Sequence, residues 1–420
     1  MSSTLSRRPV YLLLFAALSA SAGNGISIVA FPWLVLRRNG SALEASIVAG
    51  AASLPLLFST LIAGTAVDFL GRKRISILSD VLSGATVATV PVLALTLGQQ
   101  SVNVAVLATL AALGAVFDPA GITARESMLP EAAARAGWTL DRTNGLYEAV
   151  LNLAYIVGPG LAGLLIATVG GVNTMWVTAA LFGLSIVAVS ALRLAGAGPP
   201  AVEERPEGVW AGMLDGLRFV WNLKVLRTLA LIDLAMTGLY LPMESVLFPK
   251  YFADHNQPAE LGWVLMALSI GGLIGALAYP LLVRRLTRRA ILLIATLTLG
   301  VCTALISLLP PLAVILLLCA LVGLVYGPIA PIYNHVMQTK SPAALRGRVV
   351  GVMTSLAYAA GPLGFMLAGP LADAFGLRTT FLALAVPMIA IGLVSLLLPS
   401  LYELDRPGEP QQDRGSRPAH

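Results

Sequence analysis

The stretch that decides the fold is residues 64–74, which read GTAVDFLGRKR. An apolar block ends here, Asp68 follows it, and three successive cations after Gly71 lead into the next apolar block. We interpret the stretch as a short loop between two membrane-spanning helices, in which Gly64 allows close helix contact and Gly71 allows a tight turn. Asp68 at the membrane edge can pair with Arg72 and face the positive end of a neighbouring helix, so the loop predicts a latch that breaks and reforms.

The whole chain has the composition of a membrane protein. Its 420 residues are 57% hydrophobic and only 11% charged, with a mean hydropathy of +0.84, whereas soluble proteins carry about 25% charged residues. Because a spanning helix needs about 20 mainly apolar residues, the chain has room for about a dozen spans. Cys302 and Cys319 lie inside apolar blocks and are too few for a disulfide framework or a metal cluster. This pattern excludes a soluble enzyme, a secreted domain and a disordered regulator.

The apolar blocks predict an all-α membrane protein with twelve transmembrane helices in two six-helix bundles. The predicted spans are residues 9–36, 42–67, 75–97, 102–123, 143–168, 172–194, 226–248, 261–283, 290–309, 312–338, 349–371 and 379–401. We expect an N-terminal bundle over residues 1–195, a cytoplasmic linker with an amphipathic helix over 196–224, a C-terminal bundle over 225–402 and a disordered cytoplasmic tail over 403–420.

An internal repeat supports the division into halves. Residues 153–159 read LAYIVGP and residues 356–362 read LAYAAGP, and Phe117-x-Pro119 pairs in the same way with Tyr326-x-Pro328. Parallel repeats of six spans are one way in which transporters build alternating access, with the substrate site between the halves.

The distribution of Lys and Arg predicts the orientation. The loops on the side of the termini carry clusters at residues 72–74, 284–289 and 340–348, while the opposite loops keep only Arg37, Arg38, Lys250 and Arg378. Since basic loops stay in the cytoplasm, we expect a multi-pass protein of the bacterial inner (plasma) membrane with both termini cytoplasmic.

Acidic residues inside spans are costly and are functional candidates by default. The candidates are Asp80, Asp118, Glu148, Asp233 and Glu244. A desolvated carboxylate can hold a proton or a cation but not both cheaply, which is the physical basis of antiport. For Asp80 and Glu148, packing against Arg125 or Arg142 is an equal alternative. Asp233 and Glu244 lie about three turns apart on roughly one face of the seventh span, with Pro242 between them, and here we favour transport.

Other polar and aromatic positions leave two alternatives open. Asn24, flanked by Gly23 and Gly25, is expected to break the first span, and it either lines a cavity or allows close packing. His335 in the tenth span lies where a proton relay could run, and hydrogen-bonded packing is the alternative. The aromatic side chains of the spans either pack or form the walls of a drug site; they include Phe31, Trp33, Tyr155, Tyr240, Tyr326, Tyr333 and Tyr358.

Residues 64–74 resemble the loop signature G-x-x-x-D-x-x-G-R-[KR]-[KR] of the major facilitator superfamily. The resemblance implies that Asp68 locks against the eleventh span near Arg346, and that Glu126 at the inner end of the fourth span holds Arg72. Residues 158–163, GPGLAG, resemble the G-P-x-x-G-G element of the drug:proton antiporters, with Gly158, Pro159 and Gly163 at motif positions and Ala162 in place of one glycine. Proline kinks the helix and the glycines allow close packing, and the motif favours antiport over uniport.

Further stretches resemble the twelve-span macrolide-efflux branch of those antiporters. They are residues 28–36 (IVAFPWLVL), 117–121 (FDPAG) and 356–362, and residues 241–251 (LPMESVLFPKY) resemble a multidrug efflux pump of that branch. The resemblance implies proton-driven export of tetracycline, aminoglycosides and related amphiphilic drugs. Two departures are Asn24, where an acid might be expected, and the absence of an arginine midway along the fourth span, which includes Ala111 and Gly114.

The expected partners are small-molecule drugs, protons and membrane lipid, with no nucleic acid, and the expected assembly is a monomer. We expect no cofactor and no metal, with the proton gradient as the energy source. An alternative keeps the fold and exports a lipid, a siderophore or a metabolite, or acts as a proton-independent facilitator. An enzyme or receptor is disfavoured because the sequence offers no nucleophile–base constellation, metal-ligand spacing or phosphate-binding loop.

Overall fold

The computed structural model describes residues 6–194, 209–342 and 345–405, and within these ranges all regular elements are helices. We number the spanning helices α1 to α12. The first bundle consists of α1 (Arg8–Asn39), α2 (Ala42–Leu70), α3 (Arg72–Thr96), α4 (Val104–Ala115 and Asp118–Ala136), α5 (Leu140–Val169) and α6 (Gly171–Ser190). The second consists of α7 (Lys224–Pro242, Met243–Leu247 and Phe248–Asp254), α8 (Pro258–Leu282), α9 (Arg288–Ile306), α10 (Leu312–Tyr326 and Ile329–Lys340), and α11 and α12, which divide Arg346–Leu397.

Helix length and composition confirm the twelve predicted spans. Ten of the described segments are long and apolar enough to cross a membrane, and α2 adds the apolar run Ala42–Leu56. One of the ten, Val349–Leu397, bends at Gly376, whose φ of +79° ends α11 and begins α12. The helices alternate in direction, so one face carries the start of α1 and the end of α12. We call it the terminal face, and the opposite side the far face.

Two helices are interrupted at matched places in the repeat. The segments of α4 meet at Phe117, immediately before Asp118 and Pro119, and those of α10 meet at Gly327 and Pro328. Proline has no backbone N–H and therefore interrupts a helix ladder. The paired Phe117-x-Pro119 and Tyr326-x-Pro328 motifs thus mark equivalent breaks in the two bundles.

The first helix departs from the expectation. α1 runs without a break from Arg8 to Asn39, so the prediction that Asn24 and its glycines break the span is wrong. The reason is packing: a Cβ on Gly23 would lie 3.1 Å from the Phe182 ring of α6, and a Cβ on Gly25 would lie 3.1 Å from Gly158 Cα of α5. The glycines therefore let two neighbours approach a continuous helix.

The linker contains the expected helix, Val209–Asn222, which packs against α7 and the Arg346–Leu397 segment. Val220 is fully buried, while Leu214, Leu217 and Trp221 are exposed. This arrangement leaves an apolar strip beside the bundle, as expected for a helix at a membrane surface. The other predicted parts of the linker and tail, residues 196–208 and 406–420, lie outside the described residues.

The bundles meet mainly along two helix pairs, α2 with α11 and α5 with α8, and the far-face end of α7 adds contacts with α1 and α2. Glycines bring the paired helices together where Gly361 faces Ser53 and Gly369 faces Ser46 in the first pair, and where Gly160 faces Met266 and Gly163 faces Gly262 in the second. All these residues lie in the half of their helix nearer the far face. The described contacts between the bundles therefore close the far face.

Candidate transport site

The first bundle brings Asp118 and Asn24 together. Asp118 lies in the first turn of the second α4 segment, and Ser83 Oγ of α3 donates a hydrogen bond to Asp118 Oδ1 at 2.9 Å. The Asn24 side chain interacts with the same carboxylate. Both Asp118 and Asn24 are partly buried. Asn24 therefore makes a polar contact with Asp118 while its flanking glycines allow close packing, and its lining of a cavity stays a prediction.

In the second bundle, Glu244 lies on a π-turn. Residues Met243–Leu247 form this turn directly after Pro242, and such turns in helices are frequent at functional sites. α11 presses against the same place: a Cβ on Gly364 would lie 1.9 Å from Gly238 O and 2.8 Å from Pro242 Cγ. Proline leaves the Gly238 carbonyl without its helical donor, and only a glycine in α11 fits over it.

Stacked tyrosines connect the two acids of α7. The rings of Tyr240 and Tyr326 lie 5.9 Å apart with an interplanar angle of 14°. Tyr240 forms a side-chain hydrogen bond with Glu244, and Tyr326 lies within electrostatic reach of Asp233. The order of groups is therefore Asp233, Tyr326, Tyr240 and Glu244, across α7 and α10. The sequence left packing and a drug-site wall as alternatives for these tyrosines, and the structure adds their position between the carboxylates.

Asp80 belongs to a buried ion pair. Arg125 Nη1 of α4 lies 3.0 Å from Asp80 Oδ1, and the two side chains are only 3% and 2% exposed. Ser185 Oγ of α6 donates to Asp80 Oδ2 at 2.6 Å. Of the two interpretations open for Asp80, the structure supports packing, because this carboxylate ties α3, α4 and α6 together and is charge-balanced.

Glu126 and Glu148 share a cavity of about 340 Å³ in the terminal half of the first bundle. Asn144 and Tyr147 also line it, with Leu129, Pro130 and Leu140. Arg125 is near enough to Glu126 for an electrostatic interaction. The fourth and fifth spans thus place two carboxylates side by side, which the spacing in the sequence did not reveal.

The latch is described only in part. Gly71 has a φ of +89°, and its N–H donates to Val67 O at 2.9 Å, which confirms the tight turn between α2 and α3. Arg72 begins α3 and is partly buried. The surroundings of Gly64 and the side chains of Asp68 and Arg346 lie outside the described residues, so the predicted contacts of the latch stay a prediction.

His335 is not grouped with the acids of α7. It is partly buried in the second segment of α10, and the charged groups that influence it are Arg288 and Lys340. Both are cations, so in this structure no carboxylate of the described residues supplies His335 with a relay partner.

The antiporter motif forms the contact between α5 and the neighbouring helices. Gly158 packs on Gly25 of α1, with a hypothetical Cβ only 3.0 Å from Gly25 Cα. Gly163 faces α8 of the other bundle, where a Cβ would lie 2.5 Å from Pro258 O and 2.9 Å from Gly262 Cα. Ala162 is fully buried and fits with its Cβ, so the departure from the family pattern is accommodated.

Comparison with known proteins gives the family. The family model described as Major Facilitator Superfamily matches residues 13–365. The chain is 68% identical over 404 residues to the multidrug efflux pump Tap of Mycolicibacterium fortuitum, covering 96% of this chain and 99% of that protein. It is 22% identical over 402 residues to macrolide efflux protein A of Streptococcus pyogenes, covering 91% and 96%.

A solved structure supports the fold. A point mutant of the nucleoside transporter NupG superposes with a TM-score of 0.75 at 13% identity, covering 93% of this chain and 99% of that one. The resemblance to the macrolide-efflux branch and to one of its multidrug pumps is confirmed, and the relatives are transporters rather than enzymes. With its two six-helix bundles and its family match, the chain is a multi-pass membrane transporter that belongs to the major facilitator superfamily.

Proposed function

We propose that this chain is a proton-driven multidrug exporter that works by alternating access in the bacterial inner membrane. Its cargo would be amphiphilic cationic drugs, including tetracycline and aminoglycosides, and its termini would be cytoplasmic. The relative at 68% identity is a multidrug efflux pump, which supports multidrug efflux, and the carboxylates within the spans support proton coupling. The proton gradient would be the energy source, with no cofactor, and the unit would be a monomer in contact with lipid.

One observation carries the coupling: Asp233 and Glu244 take part in none of the ion pairs formed by the described residues. A charged carboxylate in a membrane interior is expensive unless a cation balances it. Each of these acids therefore has two states of low free energy inside the membrane: the protonated acid, and the carboxylate next to a cationic cargo. Asp80 already has Arg125 to balance its charge, so we do not assign it the coupling role.

The tyrosine pair suits such a cargo. An aromatic ring attracts a cation over its face, and a flat drug ring can stack on it. Tyr240 and Tyr326 lie between the two acids of α7, so one ligand could meet an aromatic face and a carboxylate together. Asp118 with Asn24 in the first bundle would offer a second polar contact.

The proposed transport cycle starts from the conformation in which the far face is closed. In this conformation cargo would enter from the terminal, cytoplasmic side and displace protons from the acids. Rocking of the bundles would then open the far face, where protonation from outside would release the drug. The proton then returns to the cytoplasm as the empty carrier resets.

The test is transport by the purified protein in liposomes. With an imposed pH gradient across the membrane, we expect tetracycline to accumulate on the acidic side, and accumulation to collapse when a protonophore removes the gradient. Asp233→Asn and Glu244→Gln should abolish accumulation. Asp254→Asn is the matched control, because this far-face carboxylate pairs with Lys250 within α7 and lies outside the proposed site.

Each alternative has its own outcome in this assay. Accumulation that ignores the pH gradient would contradict proton coupling and support a facilitator. Failure to move any cationic drug, together with gradient-driven movement of a lipid, siderophore or metabolite, would assign the other cargo. Normal export by both acid variants would contradict the site.

A further inference from the structure

Asp373, near the end of α11, makes a polar contact across the two bundles at the far face. Ser41 Oγ donates to Asp373 Oδ2 at 2.8 Å, Ala42 N donates to Oδ1 at 2.8 Å, and Leu43 N donates to Oδ2 at 2.9 Å. These donors form the first turn of α2, in the first bundle, whereas Asp373 belongs to the second. One carboxylate therefore caps a helix of the opposite bundle.

The position of Asp373 is unfavourable for its own helix. A negative charge in the last turn of a helix lies at the negative end of the helix dipole, and α11 ends at Gly376 only three residues later. The same charge is favourable at the start of α2, where the backbone N–H groups have no partner within the helix. Only the closed far face gives Asp373 this compensation, so its charge favours that state over an open one.

Packing beside the contact shows that the helices meet closely there. A Cβ on Gly369, one turn before Asp373, would lie 2.3 Å from Ser46 Oγ and 2.8 Å from Ala42 O. Lys250 of α7 also lies within electrostatic reach of Asp373, although its ion-pair partner is Asp254. The carboxylate thus has α2 as its hydrogen-bonding partner and a shared cation nearby.

We propose that Asp373 is a gate residue, which holds the far face closed by capping α2 and releases it when the bundles rock. The proposal rests on the alternating access proposed above. The α5–α8 pair closes by glycine packing with one long hydrogen bond, from Ser269 Oγ to Tyr155 O at 3.4 Å. The α2–α11 pair adds three shorter hydrogen bonds to Asp373, and water can replace them when the helices separate. A solvent-exposed carboxylate makes this contact strong enough to bias the equilibrium and weak enough to break in every cycle.

The test measures the bundle positions directly, by electron–electron distance spectroscopy between spin labels, with no drug and no gradient. One pair, Gln100→Cys and Leu308→Cys, reports the far face, and a second, Ala134→Cys and Leu286→Cys, reports the terminal face. The native Cys302 and Cys319 are both buried and should not take a label. Asp373→Ala should change the ratio of far-closed to far-open populations about tenfold. The far-face distance should lengthen while the terminal-face distance shortens.

The controls separate a gate from a general effect of charge. Asp254→Ala removes another exposed far-face carboxylate of the same bundle, whose partner Lys250 lies in the same helix. Lys250 then acts on Asp373 without competition, so the far-face distance should stay as in the parent or shorten, and it should not lengthen. Ser41→Ala should produce a smaller shift, and its effect should be much reduced in the Asp373→Ala background. Parent-like distances in Asp373→Ala, or an equal shift in Asp254→Ala, would overturn the proposal. Because these experiments measure distances and not transport, their result can be interpreted even if the proposed proton-driven export is wrong.

Discussion

At the scale of single residues, the acids within the spans divide by whether a cation balances them. The sequence identified all five and favoured transport for Asp233 and Glu244. It could not say which of the five has a cation as its partner, because the spacing along one helix does not say which side chain of another helix lies opposite. Asp80 proved to be paired with Arg125, whereas Asp233 and Glu244 form no ion pair among the described residues. We therefore expect a packing role for Asp80 and a coupling role for Asp233 and Glu244.

For the paired acid we expect a loss of stability. Asp80→Ala leaves the Arg125 guanidinium buried without its counter-charge, which typically costs about 3–5 kcal/mol. The melting temperature of the purified protein should fall by several degrees, measured by intrinsic fluorescence in detergent. The double variant Asp80→Ala/Arg125→Leu should recover part of the loss. An unchanged melting temperature in Asp80→Ala would show that the ion pair does not hold the bundle together.

For the unpaired acids we expect the reverse pattern. Asp233→Asn and Glu244→Gln keep the size of the side chain and remove only its ability to change charge, so the melting temperature should stay within about two degrees. Drug efflux from cells that express each variant should fall to the level of the empty vector, measured by fluorescent-drug retention. Retained efflux with a lowered melting temperature would assign these acids to packing.

At the scale of helices, the sequence predicted the spans better than it predicted the breaks within them. Hydrophobic blocks predicted the twelve helices, whereas the motifs around Pro119 and Pro328 predicted only a repeat, and the structure adds the interruptions of α4 and α10 at these places. The π-turn at Met243–Leu247 was not predictable, because it depends on Gly364 of α11 pressing on Gly238 and Pro242 of α7. The prediction at Asn24 was wrong in the opposite way, because a break was predicted where none exists. The glycines beside Asn24 suggested a break, but they allow close packing of neighbouring helices and α1 is continuous.

A pair of glycines in α11 tests the contact between α11 and α7. A Cβ at Gly364 would lie 1.9 Å from Gly238 O, whereas a Cβ at Gly351 would meet nothing within 4 Å. Gly364→Ala should therefore displace the helices and lower both export and the melting temperature. Gly351→Ala, the matched control, should leave the protein equally or slightly more stable, since alanine favours a helix by about 1 kcal/mol. Equal behaviour of the two variants would contradict the close packing.

At the scale of the whole molecule, the far-face contacts make one conformation of a rocking carrier. The antiporter motif supplies Gly163 to the α5–α8 contact, and Asp373 supplies the cap on α2. The sequence predicted the first from its motif. The sequence did not predict the cap by Asp373, because an aspartate near the far-face end of a span is common. Its role becomes visible only when the structure places the start of α2 next to it.

We propose that one set of carboxylates exchanges protons for the ammonium group of a drug, and this exchange is measurable on the purified protein. Tetracycline would be added to the protein in weakly buffered detergent, with a pH indicator to record protons and quenching of protein fluorescence to record binding. We expect saturable proton release that follows drug binding, and we expect this release to be lost in the Asp233→Asn/Glu244→Gln variant. Saturable drug binding without proton release would contradict the proposal.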